Sequence, residues 1–257
     1  MPADLVLSMG TLCSFLLVLA RVSGAFTFVP LPGITAAPAM VRAGLGVGIT
    51  LALASRWPAV EPGRITVMRL AVWALSEAVV GIAIGVMVAV VLEAFMLGAQ
   101  VLGLQAGYAY ASTIDPNTEA DSGVLLVFAQ LAAGMLFFAL GLDREVLRLF
   151  AQSLERIPPG AYVFGPAPAE ALIRLSSGIF SLGFRLALPV VALLLLVDFS
   201  LALLGRLNQQ LQLLSLAFPA KMLTALVVLS WVIQLFPRLM VEFSGHAWTS
   251  ARRILGI

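Results

Sequence analysis

Apolar residues fall in long blocks along this chain, at about 5–29, 43–54, 70–92, 94–114, 122–142, 175–205 and 218–237. A helix crossing a bilayer needs about 20 mostly apolar residues, and Ser122 to Leu142 supplies 21 consecutive positions without a charge. Other blocks are short, or hold Arg21, Glu77, Arg185, Asp198 or Lys221 inside them, and Glu93 separates two of them. A charge facing lipid costs roughly 3 kcal/mol or more, so these groups are expected to face protein or water. The pattern predicts an all-α, polytopic membrane protein whose helices require partners.

Proline and glycine punctuate the blocks. Pro30 to Gly33 ends the first, Trp57-Pro58 to Gly63 the second, and Pro158-Pro159-Gly160 to Pro168 forms the longest break. That last stretch is the expected boundary between an N-terminal and a C-terminal unit. The block from Leu5 to Ala20 lacks a positively charged leader and is followed by Arg21, so it reads as a first membrane helix and not as a cleaved signal.

Composition sharpens this picture. Hydrophobic residues make up 61% of the 257 positions and charged ones 11%, with a mean hydropathy of +1.06. Soluble domains carry about a quarter charged residues, so lipid or protein must cover much of this surface. Fourteen of the fifteen basic residues are arginine, but no basic run suited to nucleic acid occurs. Cys13 and His246 are each alone, which leaves no disulfide and no histidine-based metal cluster. No protease or hydrolase signature is present, so no enzyme and no cofactor is expected.

Charge placement bears on topology. Arg56, Arg64 and Arg69 flank one loop, Arg144, Arg148 and Arg156 another, and Arg238, Arg252 and Arg253 lie near the C-terminus; residues 115–121 carry Asp115, Glu119 and Asp121 and no base. With every basic loop on the cytoplasmic side, the blocks 70–92 and 94–114 cannot both cross, which points to re-entrant or partial insertion. Arg185 and Asp198 are thirteen residues, or about 20 Å, apart on one helical block. Each therefore needs a partner elsewhere, and Pro189 between them favours a bend. Small residues recur at helical spacing, Gly81 with Gly85 and then Ala99, Gly103, Gly107 and Ala111, a pattern that lets helices approach closely, within the chain or across a subunit boundary.

Several segments stand in a characteristic order: Leu19-Ala-Arg-Val-Ser-Gly-Ala-Phe26 followed by Pro30, Pro38 and Arg42; Glu77, Gly81 and Gly85; Leu92-Glu-Ala-Phe95; Gln105-Ala-Gly-Tyr108 with Ile114-Asp-Pro116; and Leu186-Ala-Leu-Pro189, Asp198, Arg206 and Phe218-Pro-Ala-Lys221. Together they resemble the FliR-like flagellar export-gate family and its SctT-like virulence-secretion relatives. The family usually has Pro-Gln-x-Asn after the arginine, where this chain reads Gln209-Gln210-Leu211-Gln212.

The resemblance implies a FliP-like unit over 1–168 fused to a FliQ-like helical hairpin over 169–257. It implies a core component of a helical export gate in the bacterial inner membrane, at the flagellar basal body. The expected partners are FliP-type and FliQ-type subunits, other export-apparatus proteins, lipid and unfolded export substrates, with no nucleic acid. It further implies that the segment from about Ala106 to Ser122 plugs the channel. Tyr108 and Tyr110 supply broad rings, Thr113 and Ile114 stiff side chains, Pro116 a break from helix and Asp115 a wet tip. Arg21, Arg42, Glu77, Glu93, Arg185, Asp198, Arg206 and Lys221 are the charges expected to be buried or to hold the assembly. The rival reading is a small secondary transporter or ion-coupled channel binding a solute through Glu77, Glu93, Arg185 and Asp198. Such transporters show internal repeats, and none is found.

Overall fold

The structure is a computed structural model; it describes residues 8–29, 38–60, 66–107, 123–162, 165–207 and 213–256. Among the described residues the secondary structure is helical: α1 (Met9–Phe26), α2 (Ala39–Ala52), α3 (Val67–Ala106), α4 (Gly123–Ala139), α5 (Leu142–Arg156), α6 (Pro166–Leu207), α7 (Leu213–Val232) and α8 (Phe236–Leu255), with short 3₁₀ turns at Ala54–Arg56 and Ile233–Leu235. In lipid every backbone N–H and C=O must be satisfied within its own segment, and a helix does this without neighbours. Among the described residues four helical stretches are long and apolar enough to cross a membrane: Met9–Phe26, Val67–Ala106, Pro168–Arg206 and Pro219–Leu255; the bent pair Leu126–Ala139 and Leu142–Arg156 makes a fifth if taken as one span. The chain is a polytopic helical membrane protein.

The blocks 70–92 and 94–114 are not separate helices. A single helix, α3, runs 40 residues through Glu93 and stops at Ala106. Neither proline nor glycine lies at this junction, and glutamate is a good helix former, so a charge there does not interrupt the backbone. The basic flank before α3 and the acidic run after it are thus separated by one helix, and the parity conflict that suggested re-entrant insertion disappears. Helix α6 likewise continues for 42 residues through Pro189.

The chain forms two compact units, each assembled from segments distant in sequence. Unit 1 comprises residues 1–90, 141–175 and 246–257; unit 2 comprises 91–140 and 176–245. Within unit 1, Ser8 caps α1 by accepting the Thr11 N–H. One face of α1, including Cys13, Leu17, Val18, Val22 and Ala25, is buried. Helix α2 packs beside α1 and buries Gly46 and Thr50; it ends where the Trp57 indole donates to the Thr50 carbonyl at 2.9 Å. Helix α5 is the amphipathic element. Asp143 and Glu145 sit in its first turn and Arg156 in its last, matching the helix dipole, while Leu149, Phe150 and Leu154 face inward. It is followed by Pro158-Pro159-Gly160-Ala161, closed by Ala161 N–H to the Pro158 carbonyl at 3.0 Å with Gly160 at φ +74°. Proline then a left-handed glycine is the signature of a type II turn. A β-carbon at Gly160 would collide with the Trp73 indole.

Unit 2 packs the second half of α3 against α4, α6, α7 and the start of α8. Gly98 and Gly183 allow the backbones to approach: a β-carbon at Gly98 would lie 3.2 Å from the Gly183 carbonyl oxygen. Phe95 meets Phe236 edge to face at 5.8 Å. In α8, Phe236, Met240 and Ser244 are buried in unit 2, and Ala247, Ala251 and Ile254 continue the same helical spacing in unit 1. About two thirds of the apolar window of α3 is buried inside the chain (67%), against 22% for those of α6 and Pro219–Leu255. The apolar window of α3 is thus the most enclosed of the four, and the later ones leave apolar sides exposed.

Candidate functional site

The largest fully buried side chain among the described residues is Arg21, 1% exposed on α1, beside Glu77, 2% exposed on α3. Arg21 Nε donates to Glu77 Oε2 at 2.6 Å, Nη1 to Ser153 Oγ at 2.9 Å and Nη2 to the Ile157 carbonyl at 3.4 Å. Ser153 passes its own proton to the Phe150 carbonyl at 2.8 Å. One guanidinium thus ties α1, α3 and the end of α5. The fork of five fixed donors makes this possible; a lysine could not reach three separate acceptors in the same way.

Glycine brings the helices near enough. A β-carbon at Gly81 would strike the Arg21 carbonyl oxygen, one at Gly85 the Ala25 carbonyl, and one at Gly24 the Ala78 carbonyl. The Gly81/Gly85 pair of α3 therefore lies directly against α1, with Gly24 answering from the other side. The second small-residue row is shorter than its sequence spacing suggests. Ala99 and Gly103 are buried, but α3 ends at Ala106 and Gly107 turns away at φ +85°. Ala111 lies outside the described residues.

In unit 2, Lys221 Nζ pairs with Asp198 Oδ1 at 2.6 Å, and Gln105 Nε2 reaches Asp198 Oδ2 at 3.5 Å. Positions 198 and 221 are nearly equidistant from the 208–212 connection, as antiparallel α6 and α7 require. Arg185 of α6 finds Glu242 of α8 at 3.8 Å, both more than half exposed.

Not all charges expected to be buried are so. Arg42, Glu93, Arg185 and Arg206 are exposed in the isolated chain, whereas Arg21 and Glu77 are enclosed and Asp198 and Lys221 partly so. Glu93 points outward from α3 itself, and Arg42, Arg185 and Arg206 lie on outward faces of α2 and α6. Glu77 is engaged by Arg21, Asp198 by Lys221 and Arg185 by Glu242. Tyr108, Tyr110, Thr113, Ile114, Asp115 and Pro116 lie outside the described residues. Ser153, Gly24, Gly98, Gly183 and Glu242 were not singled out from sequence.

A family model described as bacterial export proteins, family 1, matches residues 12–247. The chain belongs to this family. This export protein is 29% identical to the flagellar biosynthetic protein FliR of Escherichia coli K12, over 92% of this chain and 89% of that one. It is 27% identical to the protein of the same name from Bacillus subtilis, over 84% of each chain. It is 24% identical to that of Aquifex aeolicus, over 88% of this chain and 85% of the relative. The match spans both units of the export protein, including Arg21, Glu77, Ser153, Asp198 and Lys221.

Proposed function

We propose that this export protein is a non-enzymatic core subunit of a flagellar protein-export gate in the inner membrane, at the flagellar basal body. With FliP-type and FliQ-type subunits it builds the channel through which unfolded substrates leave. The observation that carries this reading is near full-length similarity to proteins named FliR within an export family. Geometry supports it. Arg185 and Glu93 are exposed within apolar stretches of α6 and α3, which suits burial by protein subunits better than contact with lipid. The fixed pairing of Glu77 and Asp198 suits a scaffold and leaves neither free to cycle through a bound ion.

In this reading residues 1–168 correspond to the FliP-like part and 169–257 to the FliQ-like part, and residues 108–116 close the channel. The decisive experiment has two arms. Expressed alone, the chain should aggregate or be degraded; expressed with FliP-type and FliQ-type subunits it should copurify as one complex. A stable, monodisperse monomer in mild detergent would overturn the assembly reading. In the complex, deletion of 109–116 should make the membrane leak small ions, and a tight membrane with normal export would exclude the plug.

A further inference from the structure

We propose that the end of unit 1 where α3 begins and α5 and α8 finish is a binding site for the headgroup of an anionic phospholipid. This goes beyond the export reading, and only its test rests on that reading, through the co-expressed subunits that keep the chain soluble. Three helix ends are knotted together there. Ser76 Oγ on α3 donates to the Tyr162 carbonyl at 3.2 Å, and the Tyr162 hydroxyl donates to the Ile254 carbonyl on α8 at 3.0 Å. Trp73 of α3 lies against Gly160 of the turn that follows α5. Burial pushes the Tyr162 phenol above its ordinary value of about 10, which keeps it a neutral donor.

Each helix carries exposed arginine beside this knot: Arg69 on α3, Arg156 in the last turn of α5, Arg252 and Arg253 in the last turn of α8. Among the described residues none of the four pairs with a carboxylate, and the nearby Glu155 is taken by Arg56. The excess of positive charge calls for an anion, and arginine forks match phosphate oxygens bidentately.

The surroundings select lipid over an acidic protein segment. Val67, Met68, Val72 and Leu75 stand exposed around Arg69, whose guanidinium lies 5.3 Å from the centre of the Trp73 ring. Aliphatic surface, an indole and an arginine at one helix end form the arrangement found at the headgroup level. One candidate span begins at Val67 and another ends at Leu255, with a third ending at Arg156 if the bent pair is taken as one span, so their boundaries meet at this knot. Basic pockets between such helix ends hold anionic lipid headgroups.

The test uses the chain purified in detergent with its co-expressed subunits, titrated with fluorescent phosphatidylglycerol or phosphatidylcholine. Phosphatidylglycerol should bind more tightly, and the difference should shrink with salt. Arg252→Gln with Arg253→Gln, or Arg69→Gln alone, should weaken it about fivefold for each arginine removed. Arg238→Gln, on an exposed arginine of unit 2, should leave it unchanged. Lysine at 252 and 253 should retain most of the binding. Equal affinity for the two lipids, or indifference to the glutamine variants, would overturn the proposal. So would glutamine variants that keep lipid binding but shed a copurifying subunit, since the occupant would then be an acidic protein surface.

Discussion

Glu77→Gln is the most informative single substitution in the chain. It preserves side-chain shape but removes the counter-charge that Arg21 meets at 2.6 Å, in a position where both residues are almost wholly enclosed. Arg21 would keep Ser153 and the Ile157 carbonyl, both neutral acceptors. Breaking a buried ion pair from one side costs about 3–5 kcal/mol, because the surviving charge stays buried. That is roughly two to three and a half orders of magnitude in the folding equilibrium. The paired replacement Arg21→Met with Glu77→Leu removes both charges and restores apolar packing, so most of the loss should vanish. A residue of about 1–3 kcal/mol should remain, since the Ile157 carbonyl loses its donor. Reversible unfolding in mixed micelles, followed by far-UV circular dichroism, gives the three free energies, and membrane abundance should rank the variants identically. Two results would refute the reasoning: Glu77→Gln within about 1 kcal/mol of the parent, or a double variant no better than Glu77→Gln.

Three other outcomes follow from the geometry. Gly81→Ala should separate α1 from α3 and lower stability by more than about 2 kcal/mol, whereas Gly48→Ala, with open space at its Cα, should be neutral or slightly stabilising; thermal unfolding distinguishes them. Gly160→Ala faces both a left-handed backbone and the Trp73 ring, so it should destabilise by more than about 1 kcal/mol and shift Trp fluorescence. Lys221→Glu would set a second carboxylate against Asp198 and should impair assembly or export more than Lys221→Gln, while combining it with Asp198→Lys should recover part of the loss; equal effects of the two single changes would count against the Asp198 pair.

The charges inside apolar blocks told most about this structure in advance. Arg21 and Glu77, each inside an apolar block, could not face lipid and so had to meet protein or water. Arg185 was also traceable by elimination: after Glu170 the sequence offers only Asp198 and Glu242 as acids, and Asp198 lies too far along the same helix. Ser153 carried no such signal, because it sits on an amphipathic helix where a serine has no reason to face inward until Arg21 is placed. Glu93 misled in the opposite direction, since a charge marks a limit of hydropathy but not a limit of helix. The Gly98–Gly183 approach depends on the rotation of α3 and α6 about their axes, and an evenly spaced row at Ala99 and Gly103 says nothing about that angle.

The reach of the Arg21 network along the chain sets an order for synthesis. Glu77 follows Arg21 by 56 residues and Ser153 by 132. At about 5–20 residues per second, Arg21 waits roughly 3–11 s for its counter-ion and about 7–26 s for its serine. Throughout that interval α1 is a short apolar helix with a naked cation five residues from its end. It cannot rest at its final depth, and its long side chain must hold the guanidinium at the water interface or against the insertion machinery. Helix α1 is therefore fully seated only after α5 has emerged, and α5, which brings Ser153, is what closes the lock.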